Sequence, residues 1–170
     1  MIIKRRLNLV DFFNERKYRF GAEIGVWKGG FSSCILSRCA VDKMICVDPW
    51  NGVGMTSEFD GDEVYEEAKA ALNAFGARVQ IVRKTSIEAA NDVDDGSLDF
   101  VYIDALHMYD EVKKDIEAWL PKVRSGGILA GHDYKKKRMC GVKRAVDEFF
   151  GEENVSHTVR KLAPSWWVFV

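Results

Sequence analysis

The chain has 170 residues, 47% of them hydrophobic, which suits one globular domain with a real core and leaves no room for a second. Its 25 Lys and Arg balance 26 Asp and Glu, so neither a nucleic-acid surface nor a membrane surface is expected. Four cysteines without C-x-x-C spacing, no secretory leader and no apolar run of about 18 residues point to reduced thiols in the cytoplasm.

Residues 1–20 are mixed, with Leu9, Phe12 and Phe13 at helical spacing behind Asn8, a suitable cap. A short packing helix is expected there, as an extension to a domain spanning 21–170. The triplet Lys4-Arg5-Arg6 reads as a solvated end. In Ala22-Glu23-Ile24-Gly25-Val26-Trp27-Lys28-Gly29-Gly30 an apolar run ends in an acid and a glycine turn, giving a first strand, a tight turn and a helix start. Phe31, Ile35, Leu36 and Cys39 mark one face of that helix. A dinucleotide fingerprint G-x-G-x-x-G needs its middle glycine for the backbone to approach a pyrophosphate, and Trp27 stands at that position. S-adenosylmethionine (SAM), a nucleoside joined to an amino acid without phosphate, tolerates such bulk. Glu23 is then the carboxylate that pairs with its ammonium group. An ordinary strand-to-helix turn is the alternative on these residues alone, because glycine is the default in strained turns.

Lys43 to Val47 reads as a buried strand ending at Asp48, roughly 25 residues beyond Glu23, near the distance at which Rossmann-like folds set a carboxylate on ribose hydroxyls. Residues 49–62 read as a loop over the site, with Trp50 near the adenosine or the substrate. Val64, Ala68, Ala71, Leu72 and Phe75 trace a helix closed by Gly76, and Val79 to Arg83 form a third strand. Thr85 and Ser86 follow, where a hydroxyl caps the next helix or meets the adenine. Leu98 to Asp104 form a fourth strand, Val112, Ile116, Trp119 and Leu120 a helix, and Gly126 to Asp133 a fifth strand. A last helix carries Val142, Ala145, Val146, Phe149 and Phe150, and residues 155–162 and 166–170 form a hairpin turned by Ala163-Pro164-Ser165. The expected fold is a single α/β domain: a Rossmann-like, doubly wound, mostly parallel seven-stranded sheet with one antiparallel strand. Ligands of such sheets sit beyond the carboxyl ends of the strands.

The E-x-G-x-x-x-G turn, Val47-Asp48-Pro49 and the closing hairpin together resemble a class I SAM-dependent methyltransferase over nearly the whole chain. Ile103-Asp104-Ala105-Leu106-His107-Met108-Tyr109 and Gly126-Gly127-Ile128-Leu129-Ala130-Gly131-His132-Asp133-Tyr134 resemble, more specifically, the macrocin O-methyltransferase-like branch. Members of that branch with known activity methylate sugar hydroxyls in natural products, often with magnesium. The resemblance implies that Glu23, Gly25 and Gly29 line the methionine end of SAM, that Asp48 holds the ribose, and that Asp104, His107 and Asp133 face the reaction. The cofactor-contacting set extends to Val26, Trp27, Trp50, Thr85, Ser86 and Asp104. Where catechol O-methyltransferase has consecutive Asp and Asn metal ligands, this chain has His132 and Asp133, which leaves the ion open.

Neighbouring strand ends lie roughly 4.8 Å apart, so Asp104 and Asp133 are expected to converge on one divalent cation, magnesium or another, with His132 as a third ligand. The cation would lower the pKa of an acceptor hydroxyl while His107 removes the proton, with Asp104 as the second catalytic residue. The alternative for His107 is a helix-start residue bonded to Tyr109 or Asp110. Lys135-Lys136-Lys137-Arg138 either holds an anionic group of the acceptor or is solvated. The expected function is SAM-dependent O-methylation of a small-molecule hydroxyl, without nucleic acid or membrane as partner and with homo-oligomerisation open. A SAM-binding regulatory domain without transfer is the alternative; the acid, histidine and acid set at the strand ends argues for chemistry.

Overall fold

The computed structural model describes residues 5–51, 60–135, 140–158 and 164–170. In chain order the elements are α1 (Arg6–Glu15), β1 (Phe20–Ile24), α2 (Gly30–Arg38), β2 (Lys43–Val47), α3 (Gly61–Leu72), β3 (Val79–Val82), α4 (Ser86–Ala90), β4 (Leu98–Ile103), α5 (Tyr109–Trp119), β5 (Val123–Gly131), α6 (Val142–Phe150), β6 (Ser156–His157) and β7 (Trp166–Phe169). The strands form one seven-stranded sheet in the order β3-β2-β1-β4-β5-β7-β6. β1 to β5 are mutually parallel and β7 runs antiparallel to both of its neighbours, so the sheet is the Rossmann-like one expected, with a single antiparallel strand.

The period of two along each strand sorts side chains into two layers. Met44, Cys46, Phe100 and Tyr102 pack beneath α1, α2 and α3, with Leu9, Phe13, Ile35, Leu36, Ala68 and Leu72. Ile24, Val47, Val101 and Ile103 pack on the other face, with Ala89 of α4 and the stripes Val112, Ile116, Trp119 of α5 and Val142, Ala145, Val146 of α6. All six residues of β4 are buried, as a central strand covered on both faces must be. Among the described residues no helix is long and apolar enough to cross a membrane, and all four cysteines are free thiols.

Two local expectations change. Helix α1 starts two residues before Asn8, with Arg5 at its N-cap and no side-chain cap there, so burial of Leu9, Val10 and Phe13 holds the helix and Asn8 lies inside it. Arg6, expected in a solvated end, turns inward. At α4 the expected cap forms: Thr85 Oγ1 accepts from the Glu88 N–H at 3.4 Å, and the Glu88 carboxylate accepts from the Thr85 N–H at 3.1 Å. In the closing hairpin, β6 pairs with β7 through Ser156 and His157, while residues 159–162 of the expected strand and Ala163 of the expected turn lie outside the described residues.

Strand order reverses between β1 and β4, the topological switch point at which such sheets bind ligands. Backbone bonds continue the ladders one residue past the strands there. Asp104 N–H donates to Ile24 at 2.7 Å, His132 N–H to Ile103 at 3.0 Å and Gly25 N–H to Val47 at 2.9 Å. Gly25, Asp104 and His132 therefore stand side by side on the carboxyl edge.

Candidate functional site

A cavity of about 270 Å³ opens at the switch point, lined by Gly25, Trp27, Asp48, Ser86, Asp104 and Asp115 among others. Gly25 has φ 89°, and a Cβ there would lie 2.3 Å from the Asp104 carbonyl oxygen. Only glycine lets the loops after β1 and β4 close on each other. Trp27, Trp50 and Asp133, on the loops after β1, β2 and β5, are also left-handed, with φ of 54°, 44° and 56°. Such strain in non-glycine residues costs of order 1 kcal/mol or more each, and it gathers here at the strand ends.

Asp48 ties the first two loops together. Its carboxylate accepts the Trp27 N–H at 3.0 Å and the Trp50 N–H at 2.8 Å, and Trp50 Nε1 donates to the Trp27 carbonyl at 2.9 Å. Burial raises the Asp48 pKa, while the backbone donors of Trp27, Trp50 and Val26 pull it down. Trp50 is itself buried, packs against Tyr65 and is not among the residues lining the cavity; Pro49 and Asn51 beside it are. Of the expected cover over the site, residues 49–62, the stretch 52–59 lies outside the described residues and Gly61 and Asp62 already belong to α3. Thr85 and Ser86 both line the cavity. Thr85 is engaged with Glu88, and Ser86 Oγ accepts from Trp119 Nε1 at 2.9 Å while bonding to Asp115.

Asp115 and Glu111, one turn apart on α5, complete this end of the cavity and were not anticipated. Burial pushes Asp115 up to about 6, Ser86 opposing and Glu111 adding to the rise. Its sequence signal is a polar residue inside the apolar stripe Val112, Ile116, Trp119. Among the described residues, every charged residue lining the cavity is acidic: Asp48, Asp104, Glu111 and Asp115.

Glu23 sits elsewhere. Its side chain is buried, accepts from the Ser32 hydroxyl and lies 3.4 Å from Arg6 Nη2, on the face of the sheet under α1 and α2 rather than in the cavity lining. Burial pushes its carboxyl up to about 8, against the pull of Arg6 and Ser32. Gly29, at φ 78°, is the N-cap of α2, set between the turn and α3.

A second cluster stands at the ends of β4 and β5. His107 Nε2 is 3.5 Å from Asp104 Oδ1 and 3.3 Å from Asp133 Oδ2, so its imidazole faces these acids rather than Tyr109 or Asp110. The His107 carbonyl accepts the Gly141 N–H at 2.7 Å, which pins the residue from behind. His132 Nδ1 is 3.5 Å from Asp104 Oδ1, Arg6 Nη2 is 3.0 Å from Asp104 Oδ2, and the Lys135 ammonium bonds Asp133 Oδ1. Burial alone would raise Asp104, but His107, His132 and Arg6 hold it down at about 2. Asp104 in turn raises the His107 pKa; burial and Lys135 oppose, and Asp133 adds to the rise.

Asp104 and Asp133 thus converge on the His107 imidazole, where a divalent cation was expected, and their other edges are matched by the cations Arg6 and Lys135. Among the described residues no group of three or more His, Cys, Asp or Glu is set to hold a metal ion. At the expected cation site, Asp104 and Asp133 are paired with Arg6, His107, His132 and Lys135. Of the basic run, Lys135 is committed to Asp133, and residues 136–138 lie outside the described residues.

Residues 22–134 match a family model described as a methyltransferase domain. Among solved structures, the O-methyltransferase TomG from Streptomyces achromogenes, involved in tomaymycin synthesis and determined with SAM, is 15% identical with a TM-score of 0.70; the match covers 96% of this chain and 78% of TomG. An O-methyltransferase from Bacillus cereus, determined with SAH, is 16% identical with a TM-score of 0.68, over 96% of this chain and 80% of that one. These likenesses are likenesses of fold. An uncharacterized protein of Sinorhizobium fredii is 30% identical over 115 residues, covering 65% of this chain and 12% of that protein. One of Acanthamoeba polyphaga mimivirus is 25% identical over 135 residues, covering 77% of this chain and 58% of that protein. The chain therefore spans a minor part of the first curated relative and somewhat over half of the second. Given the match across most of its length and the doubly wound sheet, the chain belongs to the methyltransferase-domain family.

Proposed function

We propose that this domain binds SAM in the acidic cavity and transfers its methyl group to a hydroxyl of a small molecule, in the manner of the macrocin O-methyltransferase-like branch. The observation that carries the reading is the charge of the cavity: four acids line it, and among the described residues no Lys, Arg or His does. A pyrophosphate would meet only repulsion there, whereas a ligand bearing a sulfonium and an ammonium group meets complementary charge. Asp48 takes the ribose hydroxyls with its remaining acceptor capacity, and Asp104, ionised at any working pH, faces the positive end.

SAM, when bound, supplies the electrophilic methyl group. His107 is the general base: with Nε2 turned to Asp104 and Asp133, Nδ1 receives the acceptor's hydroxyl proton. The two carboxylates stabilise the imidazolium that forms, as the acid of a hydrolase triad does. Arg6 and Lys135 balance those carboxylates, so no step calls on a divalent cation. The acceptor is a small molecule, and any preference for an anionic one rests on residues 136–138. Radiolabelled methyl transfer from SAM to a panel of sugar and phenolic alcohols, with and without EDTA, tests this. Transfer to a hydroxyl with turnover unchanged in chelator is expected; turnover abolished by EDTA and restored by magnesium would overturn the metal-free part, and no transfer to any alcohol would count against the acceptor class.

A further inference from the structure

The amino-acid end of SAM carries an ammonium and a carboxylate, and the acidic cavity lining has carboxylates for the first and, among the described residues, no cationic side chain for the second. Arg6, on the first turn of α1, stands beside Asp104, which lines the cavity. Its Nη2 lies 3.0 Å from Asp104 Oδ2 and 3.4 Å from Glu23 Oε1. The guanidinium lies 3.7 Å from the centroid of the Phe31 ring and 4.8 Å from that of Tyr102, so two aromatic faces fix its plane. Its Nε is buried without a hydrogen-bond partner. An arginine has five N–H donors, and those described here are engaged through one nitrogen. Orphaned buried donors of a charged group are costly, and they are found where a ligand completes the set.

We infer, resting on the SAM reading above, that Arg6 is the anchor for the methionine carboxylate of the bound cofactor. Arg6 and Asp104 then form an ion pair that mirrors an α-amino-acid zwitterion: the guanidinium takes the carboxylate in a forked pair of bonds, and Asp104 takes the ammonium. Glu23 competes weakly for Arg6, because its own buried carboxyl holds its proton near neutral pH and is already bonded to Ser32. Phe31, in the first turn after Gly29 and Gly30, brings this anchor against the end of the glycine turn.

The test is calorimetric binding of SAH and of the decarboxylated analogue of SAH, which differs only in lacking the carboxylate, to the wild type, Arg6→Gln and Arg6→Lys. The wild type is expected to prefer SAH by about 10-fold or more, the scale of hydrogen bonds to a charged group. Arg6→Gln should erase most of that preference while binding the decarboxylated analogue nearly as well as the wild type, and Arg6→Lys should keep part of it. Equal weakening of both ligands in Arg6→Gln would make Arg6 a structural residue and overturn the assignment. A wild type that binds both ligands equally would overturn it too, even if Arg6→Gln fails to fold. Failure of both ligands to bind the wild type would strike the SAM reading itself, a result distinct from loss of the preference alone.

Discussion

The two charged regions at the switch point are built on opposite plans. In the cavity, Asp48 and Asp115 are held by backbone donors and a hydroxyl, Glu111 is paired at its outer side with Lys114, and among the described residues no cationic side chain lines the space they face. At the ends of β4 and β5, Asp104 and Asp133 are each matched, by Arg6, His107, His132 and Lys135. An acid left without a cation inside a fold waits for one from outside, whereas a matched acid works on its partner. Asp104 is the only residue in both regions, and it joins the binding half to the reacting half.

Removing His107 breaks that comparison at its most sensitive point. His107→Ala should lower the rate of methyl transfer by about 100-fold or more while leaving SAH affinity close to wild type, read as a fall in kcat without a matching change in binding. The same imidazole sets the pH dependence. Its pKa is raised, so it is protonated, and unable to accept a proton, up to a higher pH than an ordinary histidine. Activity should therefore fall as pH drops, through an inflection above about 6.5, the ordinary histidine value, and Asp133→Asn should move that inflection downward. An inflection at or below the ordinary value would disconnect His107 from the acids beside it.

Asp48→Ala sharpens the other half. It should weaken SAH binding by about 1 to 3 kcal/mol, through lost ribose contacts and loosened turns at Trp27 and Trp50, with little effect on the pH inflection. Unchanged affinity would remove Asp48 from the ribose.

What the sequence revealed and hid follows from how local each signal is. The turn at Gly25 and the acids Asp48 and Asp104 were legible because each stands at the end of an apolar run, where strand geometry alone places it on the carboxyl edge. Thr85 was legible as a cap because its partner Glu88 is three residues away. Arg6 was not, because its roles depend on Glu23, Phe31, Tyr102 and Asp104, which reach it only through tertiary packing of α1. Asp115 hid in a helix stripe that reads as core. The metal expectation came from two acids at adjacent strand ends, a pattern that does not show which cations the rest of the chain brings to them; Lys135 lies only two residues beyond Asp133 but read as part of a charge run.

The most direct test of the acidic cavity is a calorimetric titration of the purified protein with SAH and, separately, with NADH. A site whose charged residues, among those described, are Asp48, Asp104, Glu111 and Asp115 should bind SAH saturably at one site per chain and leave the pyrophosphate-bearing NADH unbound. Saturable binding of NADH with no binding of SAH would contradict the assignment of this cavity.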